Sequence, residues 1–182
     1  MGFRFAAALI LLASACAPAP LAQFRQTLAA QDSATAALGQ WCGLRHLADD
    51  STIRAALVRG NAAAPPAGLA ETLAMPTDTA PGYRHVRLAC GDRVLSEAHN
   101  WYVRERLTPE MNRLLDQSDT PFGKAVSALH FTRQRLGEAR GAQFGCPSGT
   151  VLSHRARLVL SDGRPLALVV ECYTRANLGR GH

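Results

Sequence analysis

One acidic side chain, Glu171, lies in an otherwise apolar segment near the end of the chain, residues 166–173. Removing a carboxylate from water is costly unless polar partners compensate, so this placement predicts either a buried ion pair or a ligand contact. Glutamate can accept a hydrogen bond from a ligand hydroxyl, and arginine can offer its planar fork to a ligand carboxylate. Two arginines, Arg155 and Arg157, lie on one side of the preceding strand-like segment.

A second group of chemically useful residues is the run His99, Asn100 and Trp101. Together with a glutamate and an arginine, a histidine and aromatic walls would suit a small aromatic carboxylate. Simpler interpretations stay open, because Glu171 could pair with Arg155 or Arg157 as a structural ion pair. His99 and Trp101 could likewise be an ordinary hydrogen-bonded strand histidine and a core aromatic.

Periodicity indicates the elements that must position these residues. Residues 24–47 are helix-like, with Ser33 as an N-cap, whereas residues 83–103 and 151–174 alternate like two β-hairpins. Residues 51–58 and 131–139 are strand-like, and short helices are expected after Thr108 and near Pro121-Phe122-Gly123. Helices followed by antiparallel hairpins predict an α+β fold, a single antiparallel sheet of about five or six strands covered by helices.

In order and spacing, several of these segments resemble those of chorismate lyases. Residues 93–103 match a strand that carries a substrate-binding arginine, and Pro121-Phe122-Gly123 matches a Pro-Leu-Gly segment. Residues 154–158, His-Arg-Ala-Arg-Leu, match an arginine-rich strand. Residues 162–165 match the turn that connects this strand to the final strand. Glu171 falls on the active-site glutamate of that strand. The resemblance covers residues 83–174, about half of the chain.

The resemblance implies a chorismate lyase-like fold and, for an active enzyme, a carbon–oxygen lyase that eliminates pyruvate from chorismate-type substrates without a cofactor. The resemblance implies Glu171 as a catalytic residue and Arg155 as a ligand-binding residue. To these we add His99 as a second catalytic candidate and Asn100, Trp101 and Leu136 as further ligand-binding candidates. One position departs from the family, because His99 stands where those enzymes carry the arginine that holds the substrate carboxylate. Histidine is a weaker, pH-dependent anion ligand without the fork.

Residues 1–22 resemble a lipoprotein-type signal peptide and tether. Arg4 precedes an apolar stretch, residues 5–12, that is too short for a stable membrane anchor, and small residues lead to Cys16. We expect Cys16 to be lipidated, with ordinary signal cleavage as the alternative. The mature domain, residues 23–182, is then expected as a single domain on the periplasmic side of a bacterial cell envelope, anchored to the membrane through the lipid.

The cysteine count agrees with a location outside the cytoplasm. With Cys16 lipidated, an even number remains, at Cys42, Cys90, Cys146 and Cys172. In an oxidising compartment these cysteines predict disulfides, although the sequence leaves three pairings open. Their spacings match no zinc-site pattern, so no metal is predicted. A catalytic thiol at Cys172, beside Glu171, is the less favoured interpretation.

Two functions from different classes follow. The first is an exported, lipid-anchored domain that binds a small aromatic or carboxylic ligand, with or without lyase activity and without a cofactor. The second is a non-enzymatic envelope interaction protein that keeps the fold. A nucleic-acid partner is not expected, because the net charge of +6 comes from scattered arginines without basic runs or interleaved aromatics.

Overall fold

The computed structural model describes residues 19–60, 62–76 and 78–179. Within these ranges the strands are β1 (Ile53–Leu57), β2 (Gly82–Cys90), β3 (Arg93–Tyr102), β4 (Thr132–Arg140), β5 (Thr150–Val159) and β6 (Pro165–Thr174). They form one six-stranded antiparallel sheet in the order β1-β2-β3-β6-β5-β4. The predicted α+β architecture is therefore confirmed. The closing hairpin β5–β6 inserts β6 beside β3, at the centre of the sheet.

The α-helices are α1 (Pro20–Ala29), α2 (Ala34–Arg45), α3 (Leu69–Leu73), α4 (Pro109–Gln117) and α5 (Phe122–Ala125). In the described part of the chain, three short 3₁₀ turns lie at Arg104–Arg106, Ser127–Leu129 and Arg175–Leu178. Local chemistry accounts for the helix starts, since Ser33 accepts a hydrogen bond from the Ala36 amide and Thr108 accepts one from Met111. Pro20 begins α1, where its missing N–H is tolerated, so this helix starts inside the segment predicted as a tether.

Both faces of the sheet are covered. One face, called the α1/α2 face, packs against the N-terminal helices, with Phe24, Leu38 and Trp41 buried against Leu88 and Tyr173. Further along the same face, α4 and α5 bury a second cluster that includes Phe122 and Leu158. The opposite face, called the α3 face, is covered by α3 and the loop of residues 141–149. Alternation along each strand therefore decides which of two compartments a side chain enters.

Two disulfides fasten the covering elements to the sheet. Cys42 of α2 is bonded to Cys90 at the end of β2, and Cys146 of the 141–149 loop is bonded to Cys172 of β6. The expected disulfides are present, and the pairing that the sequence left open is resolved. Because Cys172 is bonded, it offers no free thiol for catalysis. Cys16 and the rest of the predicted signal segment up to residue 18 lie outside the described residues.

Within the described ranges, no helix has both the length and the apolar character needed to cross a membrane.

Candidate functional site

Glu171 lies on the α1/α2 face, in the middle of β6, and is almost completely buried. Its two carboxylate oxygens face the guanidinium of Arg133, with Nη1 donating to Oε1 at 2.9 Å and Nη2 donating to Oε2. The hydroxyl of Tyr173 donates to Oε2 at 2.8 Å. The side chains of Glu171 and Arg133 are only 5% and 9% exposed. The carboxylate is thus fully partnered within the protein.

The charge state of this pair follows from its surroundings. Burial alone would raise the pKa of Glu171, but the charge and hydrogen bonds of Arg133 outweigh it and hold the pKa below its ordinary value. Burial would lower the pKa of Arg133, yet the facing carboxylate raises it. Both groups are therefore ionised at neutral pH. Burial and the neighbouring negative charge raise the pKa of Tyr173 well above its ordinary range, so Tyr173 stays a hydrogen-bond donor.

The partner of Glu171 differs from the sequence prediction. Glu171 was expected to pair with Arg155 or Arg157 across the closing hairpin, but Arg155 faces Val170 and Arg157 faces Leu168, so both lie on the α3 face. Arg133 instead reaches Glu171 from β4, across β5. The sequence shows Arg133 in a strand-like segment, but only the strand order reveals that it comes within reach.

The space around Glu171 is small. A cavity of about 40 Å³ is lined by Glu171, Arg133 and Asn100 together with apolar side chains such as Phe122 and Phe131. This volume admits about three water molecules, whereas pockets for small ligands span roughly 300–1,000 Å³. The α1/α2 face therefore has no room for an aromatic acid beside Glu171 in this conformation.

His99 does not share this compartment, contrary to the predicted catalytic pair. In the register of β3 with β6, Ala98 faces Glu171 and His99 faces Val170. Residues that face each other across antiparallel strands point to the same side, so Glu171 and His99 lie on opposite sides of the sheet. Asn100 shares the face of Glu171, and Trp101 shares the face of His99. The single predicted site is therefore divided in two.

A larger cavity, called the α3-face cavity, lies on the other side. Its volume is about 370 Å³, within the range of small-molecule pockets. It is lined by three of the predicted site residues, His99, Trp101 and Arg155, and by Ala63, Ala64, Pro66, Phe144, Gly145 and Val170. The predicted Leu136 lines neither of these two cavities and is 46% exposed on β4.

Arg155 is the cationic group of the α3-face cavity. Its Nε is buried and has no hydrogen-bond partner among the described residues, where Arg155 also forms no ion pair. Its neighbour on the same face, Arg157, is by contrast bonded to the Gln134 side chain and to the Thr72 carbonyl. A buried donor without a partner is costly, and Arg84 Nε has the same feature on the other face of the sheet.

Aromatic rings form the other wall of the cavity. The rings of His99 and Trp101 lie with centroids 5.9 Å apart and an interplanar angle of 22°. Opposite them, Phe144 lies over the backbone of Gly137, where an added Cβ would come within 2.8 Å of the ring. The Cys146–Cys172 bond fixes the loop that carries Phe144. The cavity thus combines flat apolar walls with one unpartnered guanidinium.

His99 belongs to a polar cluster that the sequence reasoning missed. Its Nδ1 is hydrogen-bonded to the Tyr83 hydroxyl at 2.8 Å, and its ring stacks on that of His85 at 4.2 Å between centroids. His85 Nε2 is hydrogen-bonded to Glu97 Oε1 at 2.8 Å, and Arg87 donates to Oε2 of the same carboxylate. Burial, helped by the proximity of His85, lowers the pKa of His99, so this imidazole is neutral at neutral pH.

Comparison with known proteins begins with the fold. No family model matches this chain. PhnF from Mycobacterium smegmatis superimposes with a TM-score of 0.58 at 11% identity, over 82% of this chain and 66% of that chain. The effector domain of PhnF superimposes with a TM-score of 0.56 at 11% identity, over 79% of this chain and 89% of that domain. A ligand-binding domain from Bordetella bronchiseptica, assigned to the GntR family, superimposes with a TM-score of 0.50 at 14% identity, over 68% of this chain and 83% of that domain.

These structures define the class of the domain, since it has the chorismate lyase-like fold of GntR effector domains. The resemblance to chorismate lyases is confirmed at the level of the fold, and the closer relationship to those enzymes stays a prediction. The chain spans 66% of full-length PhnF and 61% of a Bacillus subtilis relative, YydK.

The family itself comes from sequence. The chain is 40% identical over 176 residues to the uncharacterized protein y4mC of Sinorhizobium fredii. The aligned region covers 86% of this chain and 74% of that protein. The chain belongs to the y4mC family.

Proposed function

We propose that this protein binds a small carboxylate with an aromatic or otherwise apolar body in the α3-face cavity, with Arg155 as the anion ligand. The observation that carries the proposal is the buried, unpartnered Nε of Arg155 in the wall of a cavity of about 370 Å³. A carboxylate would supply the missing acceptor and could engage the guanidinium with two parallel hydrogen bonds. The rings of His99 and Trp101 provide a flat surface for the body of the ligand.

The fold supports a binding role. The similar Bordetella bronchiseptica structure is the ligand-binding domain of a regulator assigned to the GntR family, and the similar PhnF structure is an effector domain. At 11–14% identity these relatives support only the architecture, so the ligand class rests on the cavity of this chain. Because His99 is neutral at neutral pH, Arg155 supplies the positive charge.

A lyase reaction has less support than binding. Glu171 is held by Arg133 and Tyr173, and it lies on the face opposite to the larger cavity. The group expected to act with it, His99, is therefore separated from it by the sheet. An assay for pyruvate release from chorismate tests this directly, and release above that of a heat-inactivated sample would restore the enzyme hypothesis.

The alternative of an envelope interaction protein predicts that side chains such as Trp101 and Phe122 fill the ligand space. Beside Glu171 this expectation holds, because Phe122 lines the cavity of about 40 Å³ that leaves no room for a ligand, whereas Trp101 lines the wall of the α3-face cavity, whose volume is about 370 Å³. Among the described residues, each large exposed apolar side chain lies on a different element: Leu44, Val94, Leu114, Leu136 and Phe144. These observations favour ligand binding over a broad apolar docking surface.

We place the domain, residues 23–182, outside the cytoplasm on the periplasmic side, tethered through a lipid on Cys16. The two disulfides among the described residues support this placement, because such bonds persist in oxidising compartments. Labelled palmitate should enter the wild-type protein and not a Cys16→Ala variant. Equal labelling of both would contradict lipidation at Cys16, and recovery in a soluble cytoplasmic fraction would contradict the location.

The ligand class can be tested by thermal unfolding with benzoate, 4-hydroxybenzoate, chorismate and an uncharged control, benzamide. A carboxylate at a hundred times its Kd should add about 2.7 kcal/mol of stability, which is roughly 5–10 °C in Tm for a domain of this size. We expect Arg155→Met to abolish the shift, since it removes the anion ligand and keeps most of the side-chain volume.

The control variant is Arg135→Met, at an arginine that is 41% exposed and on the opposite face of the sheet, and it should keep the full shift. A Glu171→Gln variant identifies the compartment. If Glu171→Gln removes binding while Arg155→Met keeps it, the ligand occupies the α1/α2 face and the proposed site is wrong. A panel without any shift would refute the carboxylate class.

A further inference from the structure

We infer that His85, Glu97 and His99 form a binding site for a divalent transition metal at the edge of the α3-face cavity. One ligand atom from each of these side chains lies within 4.8 Å of the other two. Two imidazoles and one carboxylate form a donor set that suits Zn²⁺, Cu²⁺ or Ni²⁺ better than Ca²⁺ or Mg²⁺, which prefer oxygen ligands.

The backbone fixes these side chains in place. His85 and His99 face each other directly across β2 and β3, and Glu97 lies two positions from His99 on the same face of β3. The imidazole rings are stacked with an interplanar angle of 23°. All three side chains are only partly buried, so an ion can reach them from solvent. The pairing of rigid strands leaves little conformational entropy to lose on binding.

Two of the three donors, His99 and Glu97, also have a partner that orients them. The Tyr83 hydroxyl contacts Nδ1 of His99, which leaves Nε2 without a hydrogen bond to any described residue and free to bind a metal. Arg87 contacts Oε2 of Glu97 and leaves Oε1 directed at His85. Hydrogen bonds to the second nitrogen of a ligating histidine, or to the second oxygen of a carboxylate, are the usual support of a metal site.

Only small movements are needed to close the site. Donor atoms around a tetrahedral Zn²⁺ lie about 3.3 Å apart when its bonds are about 2.0–2.1 Å long. The His85 Nε2–Glu97 Oε1 distance of 2.8 Å would therefore open by about 0.5 Å, and the third donor would move inward. With three protein ligands, one coordination position remains open. Because His99 also lines the cavity, that position borders the space assigned to the carboxylate.

Metal binding can be measured on the tag-free protein without any ligand or activity. Isothermal titration with Zn²⁺ should give one ion per chain, and Cu²⁺ should give an electron paramagnetic resonance spectrum with coupling to two imidazole nitrogens. His85→Gln, His99→Gln and Glu97→Gln should each weaken Zn²⁺ binding by at least about tenfold, and Tyr83→Phe by about tenfold. Either histidine variant should reduce the coupling to one nitrogen.

The matched control is His130→Asn, at a histidine outside the cluster with a left-handed backbone (φ 48°) that asparagine tolerates. It should bind Zn²⁺ like the wild type. Near-ultraviolet circular dichroism checks that each variant is folded. If a histidine variant does not fold, Glu97→Gln still tests the site, because it preserves the side-chain volume. Absence of stoichiometric binding by the wild type, or unchanged binding in folded His85→Gln and His99→Gln, would overturn the inference. Loss of metal binding in Arg155→Met is not expected, so this result stays separate from the carboxylate proposal.

Discussion

At the scale of single residues, the central feature is the ion pair between Glu171 and Arg133. Removing one member leaves the other charge buried without compensation, which costs about 3–5 kcal/mol. Glu171→Ala should therefore lower the free energy of unfolding by about that amount, as measured by urea denaturation. This is the opposite of a ligand residue, whose removal would abolish binding and leave the fold nearly unchanged.

A double variant separates charge burial from packing. Glu171→Leu combined with Arg133→Met replaces the pair by apolar groups of similar size and should recover most of the stability lost in Glu171→Ala. The comparison that isolates the charge is Glu171→Leu alone, which keeps the volume and leaves Arg133 unpaired. If Glu171→Leu is as stable as the double variant, the loss in Glu171→Ala comes from packing and not from the orphaned charge.

His154 gives the second prediction at this scale, because it is buried beside Glu138 with Nε2 2.9 Å from Oε2. Burial lowers the pKa of His154 below 6.5, so below that pH the unfolded chain binds a proton that the folded protein resists. Stability should be complete above pH 6.5 and fall by up to about 1.4 kcal/mol per pH unit below it for this one group. His154→Gln should flatten the profile measured by urea denaturation between pH 7 and pH 5, and an unchanged slope would exclude this cause.

At the scale of elements, the two disulfides support different compartments. Cys146–Cys172 closes a separation of 26 residues and fixes the loop over the α3-face cavity, whereas Cys42–Cys90 closes 48 residues and ties α2 to the other face. Each should contribute about 3.5–4 kcal/mol by restricting the unfolded chain. We expect Cys146→Ser/Cys172→Ser to lower both stability and carboxylate affinity, because Phe144 loses its anchor.

The pair Cys42→Ala/Cys90→Ala is the control, with a similar loss of stability and an unchanged Kd for the carboxylate. Titration calorimetry at a temperature where both double variants are folded makes the comparison. Equal weakening of binding in the two would mean that the loop has no special role in the cavity.

The strands and turns could largely be predicted from the sequence, whereas the register between strands could not. The Gly91-Asp92 and Asp162-Gly163 turns define both hairpins, and alternation correctly divides their residues between two faces. A β-bulge next to Leu88 is not visible in that pattern. A regular two-residue hairpin would oppose His85 to Ala98, and the bulge opposes it to His99 instead. The His85–Glu97–His99 cluster therefore could not be derived from spacing alone.

The division of the predicted site has a similar cause. Alternation within β3 and within β6 was correct, but the register between them decides whether His99 or Ala98 faces Glu171. That register is set by packing between strands about 70 residues apart in sequence, and no local sequence signal indicates it. The partner Arg133 depends likewise on the order β6-β5-β4.

At the scale of the whole molecule, the two disulfides together are comparable to the entire stability of a domain. Their summed contribution of about 7–8 kcal/mol lies within the 5–15 kcal/mol typical of folded proteins. We therefore expect the fully reduced protein to be marginally stable or unfolded at 37 °C, whereas the oxidised protein unfolds cooperatively well above it. Thermal unfolding followed by circular dichroism, with and without a phosphine reductant, measures the difference. A reduced protein with a Tm within a few degrees of the oxidised one would show that the fold does not need an oxidising compartment, and would remove the main support for placing the domain outside the cytoplasm.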